Sequence, residues 1–285
     1  MTGAPAQEVR LTWLYVPGDR PEVVAKALRS GADVVVVDLE DAVTAGRKAY
    51  ALDAAADLLA ERPAVPVHVR VNALDGPLAE AEVRRLAPLP GLSGLRLPKV
   101  ECPSLVGRVA AWAADAGGAV PPLYALLESA LGVERAYAVA TAHPAVAGIA
   151  LGEADLRADL GVRDAAGLAW SRGRAVVAAR AAGLAPPPQS VFPDVRDTAG
   201  LARSCAEGRA LGFLGRAAIH PRQLPVIRDA YLPTDAEVAE AAEIVRAARE
   251  TDAGALALPD GRFVDAAVVS AAHRTLSLSR LAHSS

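Results

Sequence analysis

Short apolar runs alternate with longer segments of helical period along most of this 285-residue chain, and each change of period is marked by proline, glycine or a charged cluster. The runs that read as strands lie at Leu11 to Val16, Asp33 to Asp38, Val67 to Val71, Gly94 to Leu97, Leu123 to Leu127, Ala147 to Leu151, Ser190 to Phe192 and Arg216 to Ile219. Helical segments fill the gaps at Pro21 to Leu28, Arg47 to Ala60, Leu78 to Leu86, Leu105 to Ala114, Leu131 to Ala140, Leu168 to Ala181 and Thr198 to Leu211. Crossovers of that length permit parallel pairing, and near-continuous Val, Leu, Ile and Ala suits strands covered on both faces. Eight such units predict an α/β fold, a TIM-type (β/α)8 barrel over residues 1–232. An open doubly wound sheet would read similarly.

From Thr234 the pattern changes to an Ala- and Glu-rich helix, a hairpin signal at Asp260-Gly261 and a last helix. Residues 233–285 are expected to form a C-terminal arm or lid and not an independent domain, since roughly 50 residues seldom build a core of their own.

Composition narrows the partners. A formal net charge of -3 and 4% aromatic residues offer neither a broad positive field nor stacking platforms, so nucleic acid is not expected. No apolar stretch approaches the about 18 residues a membrane span requires, and no signal-like segment opens the chain. Cys102 and Cys205 form no paired spacing, which argues against a disulfide framework or thiolate zinc site and for a reducing cytoplasm.

Chemistry is expected where strands give way to loops, because a parallel barrel has a packed interior and works at its C-terminal rim. Glu128 follows one strand and Asp155 closely follows the next, so the two carboxylates can share a magnesium ion, which takes one or two protein carboxylates and fills the rest of its octahedron with water and substrate oxygens. Capping of the following helices, or pairing with arginine, is the plainer alternative. Asp38, Glu40 and Asp41 crowd one turn after the most hydrophobic strand, an arrangement that raises proton affinity and suits acid/base work unless the turn is merely solvated.

Arg70 closes the third strand, where its guanidinium can bind a substrate carboxylate bidentately or pair with the acids of the second strand. His68, on the same face and deeper, reads as a core histidine. Lys99 ends the fourth strand; an electrostatic role fits it better than a Schiff base, since nothing marks it as desolvated. Arg20 with Gly18 is a weak anion-binding cue, and Gly152 beside Glu153 allows close backbone approach to a ligand. His220 has no second histidine at ligand spacing.

Taken in order, Leu14-Tyr15-Val16-Pro17-Gly18-Asp19-Arg20-Pro21, Asp38-Leu39-Glu40-Asp41-Ala42-Val43, Val69-Arg70-Val71-Asn72, Leu97-Pro98-Lys99, Leu127-Glu128-Ser129-Ala130, Gly152-Glu153-Ala154-Asp155-Leu156 and Ile219-His220-Pro221 resemble the citrate lyase β-subunit family, within the HpcH/HpaI aldolase/citrate lyase superfamily. The resemblance implies a magnesium-dependent carbon–carbon lyase on a TIM-type barrel, acting on a carboxylic acid thioester of coenzyme A or an acyl carrier. Glu128 and Asp155 match the metal carboxylates and Arg70 the carboxylate-binding arginine, with Glu40 and Asp41 near the reacting centre. A homotrimer or dimer of trimers is implied too, with a lid whose catalytic aspartate corresponds to Asp265. Three positions depart from the family pattern: Leu131 stands where arginine is usual, Gln189 where an acid is, and Arg216 where lysine is.

The leading expectation is cleavage of a citryl-CoA-like 3-hydroxyacyl thioester to an acetyl thioester and a 2-oxo acid such as oxaloacetate. Malyl-CoA or citramalyl-CoA lyase, a thioester-independent class II pyruvate aldolase and a catalytically silent assembly subunit are the alternatives.

Overall fold

Seven of the eight expected runs form strands in one parallel sheet: β1 (Thr12–Pro17), β2 (Val34–Asp38), β3 (Val67–Arg70), β4 (Leu92–Leu97), β5 (Leu123–Leu127), β6 (Val146–Leu151) and β7 (Arg216–Ala218), in the order β6-β5-β4-β3-β2-β1-β7. The computed structural model describes residues 9–250, 255–258 and 260–282. Val34, Val35, Val36 and Val37 are all fully or almost fully buried, as β-branched residues covered on both faces of a parallel strand should be.

The sheet curls. Laid flat, seven strands would separate the edge strands β6 and β7 by about 29 Å. Yet Ala150 of β6 and Ala217 of β7 line the same cavity as Tyr15, Asp38, Arg70 and Arg96 from the strands between them. Register aligns this interior: Pro17, Asp38, Arg70, Arg96, Tyr124 and Gly148 are successive Cα partners across β1 to β6.

The expected strand Ser190 to Phe192 does not form. Its segment makes a single parallel bridge, Gln189 to Arg216, because Pro186 to Pro188 before it and Pro193 after it supply no N–H donors for a ladder. Between this segment and the β6 end of the sheet, the Glu153 N–H donates to Ser190 Oγ at 3.2 Å. The expected helix Leu131 to Ala140 is two short helices, Ala130–Glu134 and Ala136–Ala140, broken at Arg135. A helix over Glu153–Leu160, not among the expected helices, directly follows β6.

The chain divides into two compact units, with Arg10–Arg228 as the first. In the second, from Asp229 onward, helix Asp235–Glu250, the antiparallel pair β8 (Ala255–Ala257) and β9 (Phe263–Asp265), and helix Ala266–Ala282 follow one another. Ala241, Ile244, Val245, Leu258, Val264 and Ala272 form its apolar cluster. The hairpin turn contains Gly261 at φ 88°, and Arg262 pairs with Asp260, Glu240 and Glu243. Among the described residues, no helix is long and apolar enough to cross a membrane.

Candidate active site

The C-terminal ends of β2, β3 and β4 bring Asp38, Glu40, Asp41, Arg70 and Lys99 into one ionic cluster. Asp38, almost fully buried, accepts from Arg70 Nε at 2.7 Å and Nη2 at 2.6 Å, and from the backbone N–H groups of Glu40 and Ala42. Arg70 Nη1 lies 3.0 Å from Glu40 Oε2 and 3.2 Å from Asp41 Oδ2. Lys99 Nζ donates to Glu40 Oε1 at 2.8 Å and approaches Asp41 Oδ1 at 3.8 Å. Burial raises the Glu40 carboxyl above the ordinary range, opposed by the Arg70 guanidinium. Lys99 itself sits at φ 52°, a left-handed conformation costly for a side chain with a Cβ, so the turn after β4 is strained where its ammonium meets the acids. Its proton is held more tightly than usual, chiefly by the bond to Glu40, which leaves no free amine for a Schiff base.

Beside this cluster opens a cavity of about 500 Å³, lined among others by Asp41, Arg70, Glu128, Gly152 and Asp155. A second cavity, of about 360 Å³, shares Glu128 and Asp155 and adds Lys99, Asp75, Glu101 and Asp159. Glu128, buried at the end of β5, leaves Oε2 without a hydrogen-bond partner. Burial, reinforced by the nearby charges of Glu40 and Asp155, pushes its carboxyl up to about 8. Asp155 is exposed in the first turn of the helix that follows β6.

Arg70 and Lys99 pair with Asp38, Glu40 and Asp41, whereas Glu128 and Asp155 on the same cavity make no ion pair among the described residues. Among the described residues there is no cage of three or more His, Cys, Asp or Glu side chains. Two carboxylates opening on a cavity, one carrying an unpartnered oxygen, instead fit the donor chemistry of a hard divalent cation that keeps most of its water or binds substrate oxygens.

The other sequence candidates fall out as follows. Gly152 packs against Glu128: a Cβ there would stand 2.6 Å from Glu128 Oε1, so only glycine leaves that carboxylate its place. Glu153 lines the cavity, but its carboxylate is held bidentately by Arg172 at 2.8 and 2.6 Å. Arg20 is exposed and is not among the residues lining either cavity. Asp265 lies in the second unit, where Oδ1 caps the helix Ala266–Ala282 by accepting from the N–H groups of Ala267 and Val268 at 2.9 Å each. Of the departures, Leu131 is exposed, whereas Gln189 and Arg216 are buried against each other, with Arg216 Nη1 donating to Gln189 Oε1 at 3.1 Å and Ser204 Oγ at 3.0 Å and Nε donating to Ser190 O at 2.9 Å.

Sequence reasoning missed Arg96 and Tyr15, both on the cavity wall. Alternation could have found Arg96, since it falls two residues after Gly94 and pairs in register with Arg70.

The HpcH/HpaI aldolase/citrate lyase model matches residues 11–221. The citrate lyase subunit β of Leuconostoc mesenteroides subsp. cremoris is 32% identical, with 97% of this chain and 95% of that one covered. A (3S)-malyl-CoA thioesterase of Cereibacter sphaeroides is also 32% identical, over 93% of this chain and 92% of its own. The solved CitE protein of Mycobacterium tuberculosis, in complex with magnesium, acetoacetate and coenzyme A, superposes with a TM-score of 0.81 at 32% identity, over 96% of this chain and 99% of that one. Matched from β1 to just beyond β7 and aligned with relatives almost end to end, the chain belongs to the HpcH/HpaI aldolase/citrate lyase family of enzymes.

Proposed function

We propose that this protein is a magnesium-dependent carbon–carbon lyase that cleaves a 3-hydroxyacyl-CoA, citryl-CoA-like in form, into acetyl-CoA and a 2-oxo acid, on a sheet that completes a (β/α)8-type barrel. The carrying observation is the unpartnered Oε2 of buried Glu128, on a cavity it shares with Asp155. Glu128 and Asp155 would hold the ion, which when bound supplies Lewis-acid stabilisation of the oxygen that becomes the new carbonyl. The relative solved with magnesium and coenzyme A supports that choice of cofactor and thioester.

The reaction is a reverse Claisen cleavage. The substrate hydroxyl loses its proton, the adjacent carbon–carbon bond breaks, and its electron pair passes to the acetyl thioester carbon, which takes up a proton. Asp41 is the proton acceptor best placed within the first unit: it lines the cavity, is half exposed and, among the described residues, pairs with the outer nitrogen of Arg70 and, more distantly, with Lys99. Arg70 is anchored by Asp38, so a substrate carboxylate would bind it at Nη1, in competition with Asp41. Glu40, between Arg70 and Lys99, keeps both cations at the rim.

We further propose cytoplasmic residence, assembly as a homotrimer or dimer of trimers, and a lid role for residues 233–285 in which Asp265 reaches a neighbouring subunit's site. Light scattering of the purified protein tests the assembly, and a monomer would rule out that arrangement. A thioesterase outcome is the second reading, favoured by the similarity to (3S)-malyl-CoA thioesterases. Citryl-, malyl- and citramalyl-CoA incubated with magnesium separate the readings. A lyase releases acetyl-CoA and a 2-oxo acid in equal amounts, a thioesterase free coenzyme A and the intact hydroxy acid; absence of both products with all three thioesters sinks the proposal.

A further inference from the structure

Arg96 is a buried cation for which the described residues supply no counter-ion. It is 2% exposed, yet no carboxylate pairs with it among the described residues. Its one hydrogen bond is from Nη1 to the Tyr15 hydroxyl at 3.3 Å, and its Nε has no partner. Around it stand the rings of Trp13, Tyr15 and Tyr124, with centroids 5.9, 5.6 and 5.5 Å from the guanidinium carbon. His68, stacked on Tyr124, stays neutral, since burial first and then the Arg96 and Arg10 charges lower its proton affinity.

The contrast with Arg70, its register partner on β3, is chemical. The Arg70 guanidinium is already bonded to Asp38 and shared by Glu40 and Asp41. Cation–π contact offsets part of the cost of burying Arg96, but a ring face accepts no N–H bond as a carboxylate does. Arg96 lines the same cavity as Glu128, Asp155 and Arg70, so an anion entering that cavity meets a guanidinium whose bonds are not yet made.

We infer that Arg96 is a substrate-binding residue that receives a second carboxylate, and so sets the specificity of this site for dicarboxylic 2-oxo acids and the tricarboxylic thioesters that yield them. The inference rests on the proposed lyase reading and narrows it. Among the thioesters that could be cleaved here, citryl-CoA leaves oxaloacetate, whose distal carboxylate would sit against Arg96. Citramalyl-CoA leaves pyruvate, which places a methyl group there instead.

The test is calorimetric titration of oxaloacetate and of pyruvate, each with saturating magnesium, into the full-length protein and its Arg96→Met and Arg96→Lys variants. The wild type is expected to bind oxaloacetate about tenfold or more tighter than pyruvate, and Arg96→Met to lose that preference while pyruvate affinity changes by less than about threefold. Arg96→Lys keeps the charge without the fork, and should hold an intermediate preference; if the methionine variant does not fold, a preference reduced at least about threefold in the lysine variant carries the inference. A merely structural arginine would change both affinities together. An oxaloacetate-to-pyruvate ratio unmoved in the folded variants, or equal affinities in the wild type, overturns the Arg96 assignment and leaves the lyase reading standing. Binding of neither acid by the wild type overturns that reading, and this one with it.

Discussion

A Cβ built on Gly152 would lie 2.6 Å from Oε1 of Glu128, so the glycine after β6 sets the position of the carboxylate after β5. Gly152→Ala should therefore fold but displace Glu128, weakening divalent-ion affinity by at least about tenfold, an effect of the size that loss of a supporting contact has at metal sites. Manganese titration followed by paramagnetic relaxation of water protons reads this directly. An alanine variant with wild-type affinity would show that Glu128 is not positioned by this contact.

Glu128→Gln tests the energetic side of the same group. A buried carboxylate with one oxygen unpartnered, pushed up to about 8, disfavours the folded state when it ionises. The amide removes that charge at nearly constant volume. In metal-free buffer at pH 8.5 the variant should be more stable than the wild type by about 1–3 kcal/mol in urea unfolding, while turnover is lost. Lower stability would mean that an interaction favouring the ionised form has been overlooked.

His68 gives a pH signature in the opposite part of the range. Buried beneath Tyr124, with ring centroids 4.5 Å apart, it has its proton affinity lowered well below the usual 6.5 by desolvation first, then by Arg96 and Arg10. The unfolded chain protonates this imidazole below about pH 6.5 and the folded chain does not. Stability is thus fully present above that pH and falls on acidification by up to about 1.4 kcal/mol per unit. His68→Phe keeps a ring against Tyr124 and should flatten the slope between pH 6.5 and 5 by about one proton. Identical pH slopes for the two proteins would show that His68 is charged in the folded state.

Gln189 and Arg216, which stand where the sequence resemblance led to an expected acid and lysine, form a hydrogen-bonded buried pair. Gln189→Ala deprives Arg216 Nη1 of an acceptor and should cost about 2 kcal/mol in urea unfolding, with magnesium affinity unchanged. A loss of metal affinity would mean that this pair supports the Glu128–Asp155 site as well as the fold.

How legible all this was in the sequence differs by element. Runs such as Val34 to Val37 declare a doubly covered strand without help, and the acids at its end meet the residue that closes β3, so that Asp38, Glu40, Asp41 and Arg70 form the ion pairs that the sequence offered as the alternative to substrate binding by Arg70. Ser190 to Phe192 looked apolar enough for a strand, but the prolines on either side cannot donate to a ladder, and only one bridge forms. The helix after β6 went unread because Gly152-Glu153-Ala154-Asp155 carries no apolar period over its first turn. Arg172, which occupies Glu153, lies 19 residues along the chain, beyond any local pattern. Arg96 was hidden by the assumption that barrel-strand residues short of the rim pack as apolar side chains: it is the last residue but one of β4, and the three rings that shelter it come from two other strands.

The proposed catalysis requires one divalent ion held between Glu128 and Asp155. Calorimetric titration of magnesium, in the presence of oxaloacetate, into wild type, Glu128→Gln and Asp155→Asn addresses it most directly. One saturable site in the wild type, with affinity reduced at least about a hundredfold in each variant while circular dichroism is unchanged, is the predicted result. Wild-type affinity in either folded variant would contradict it.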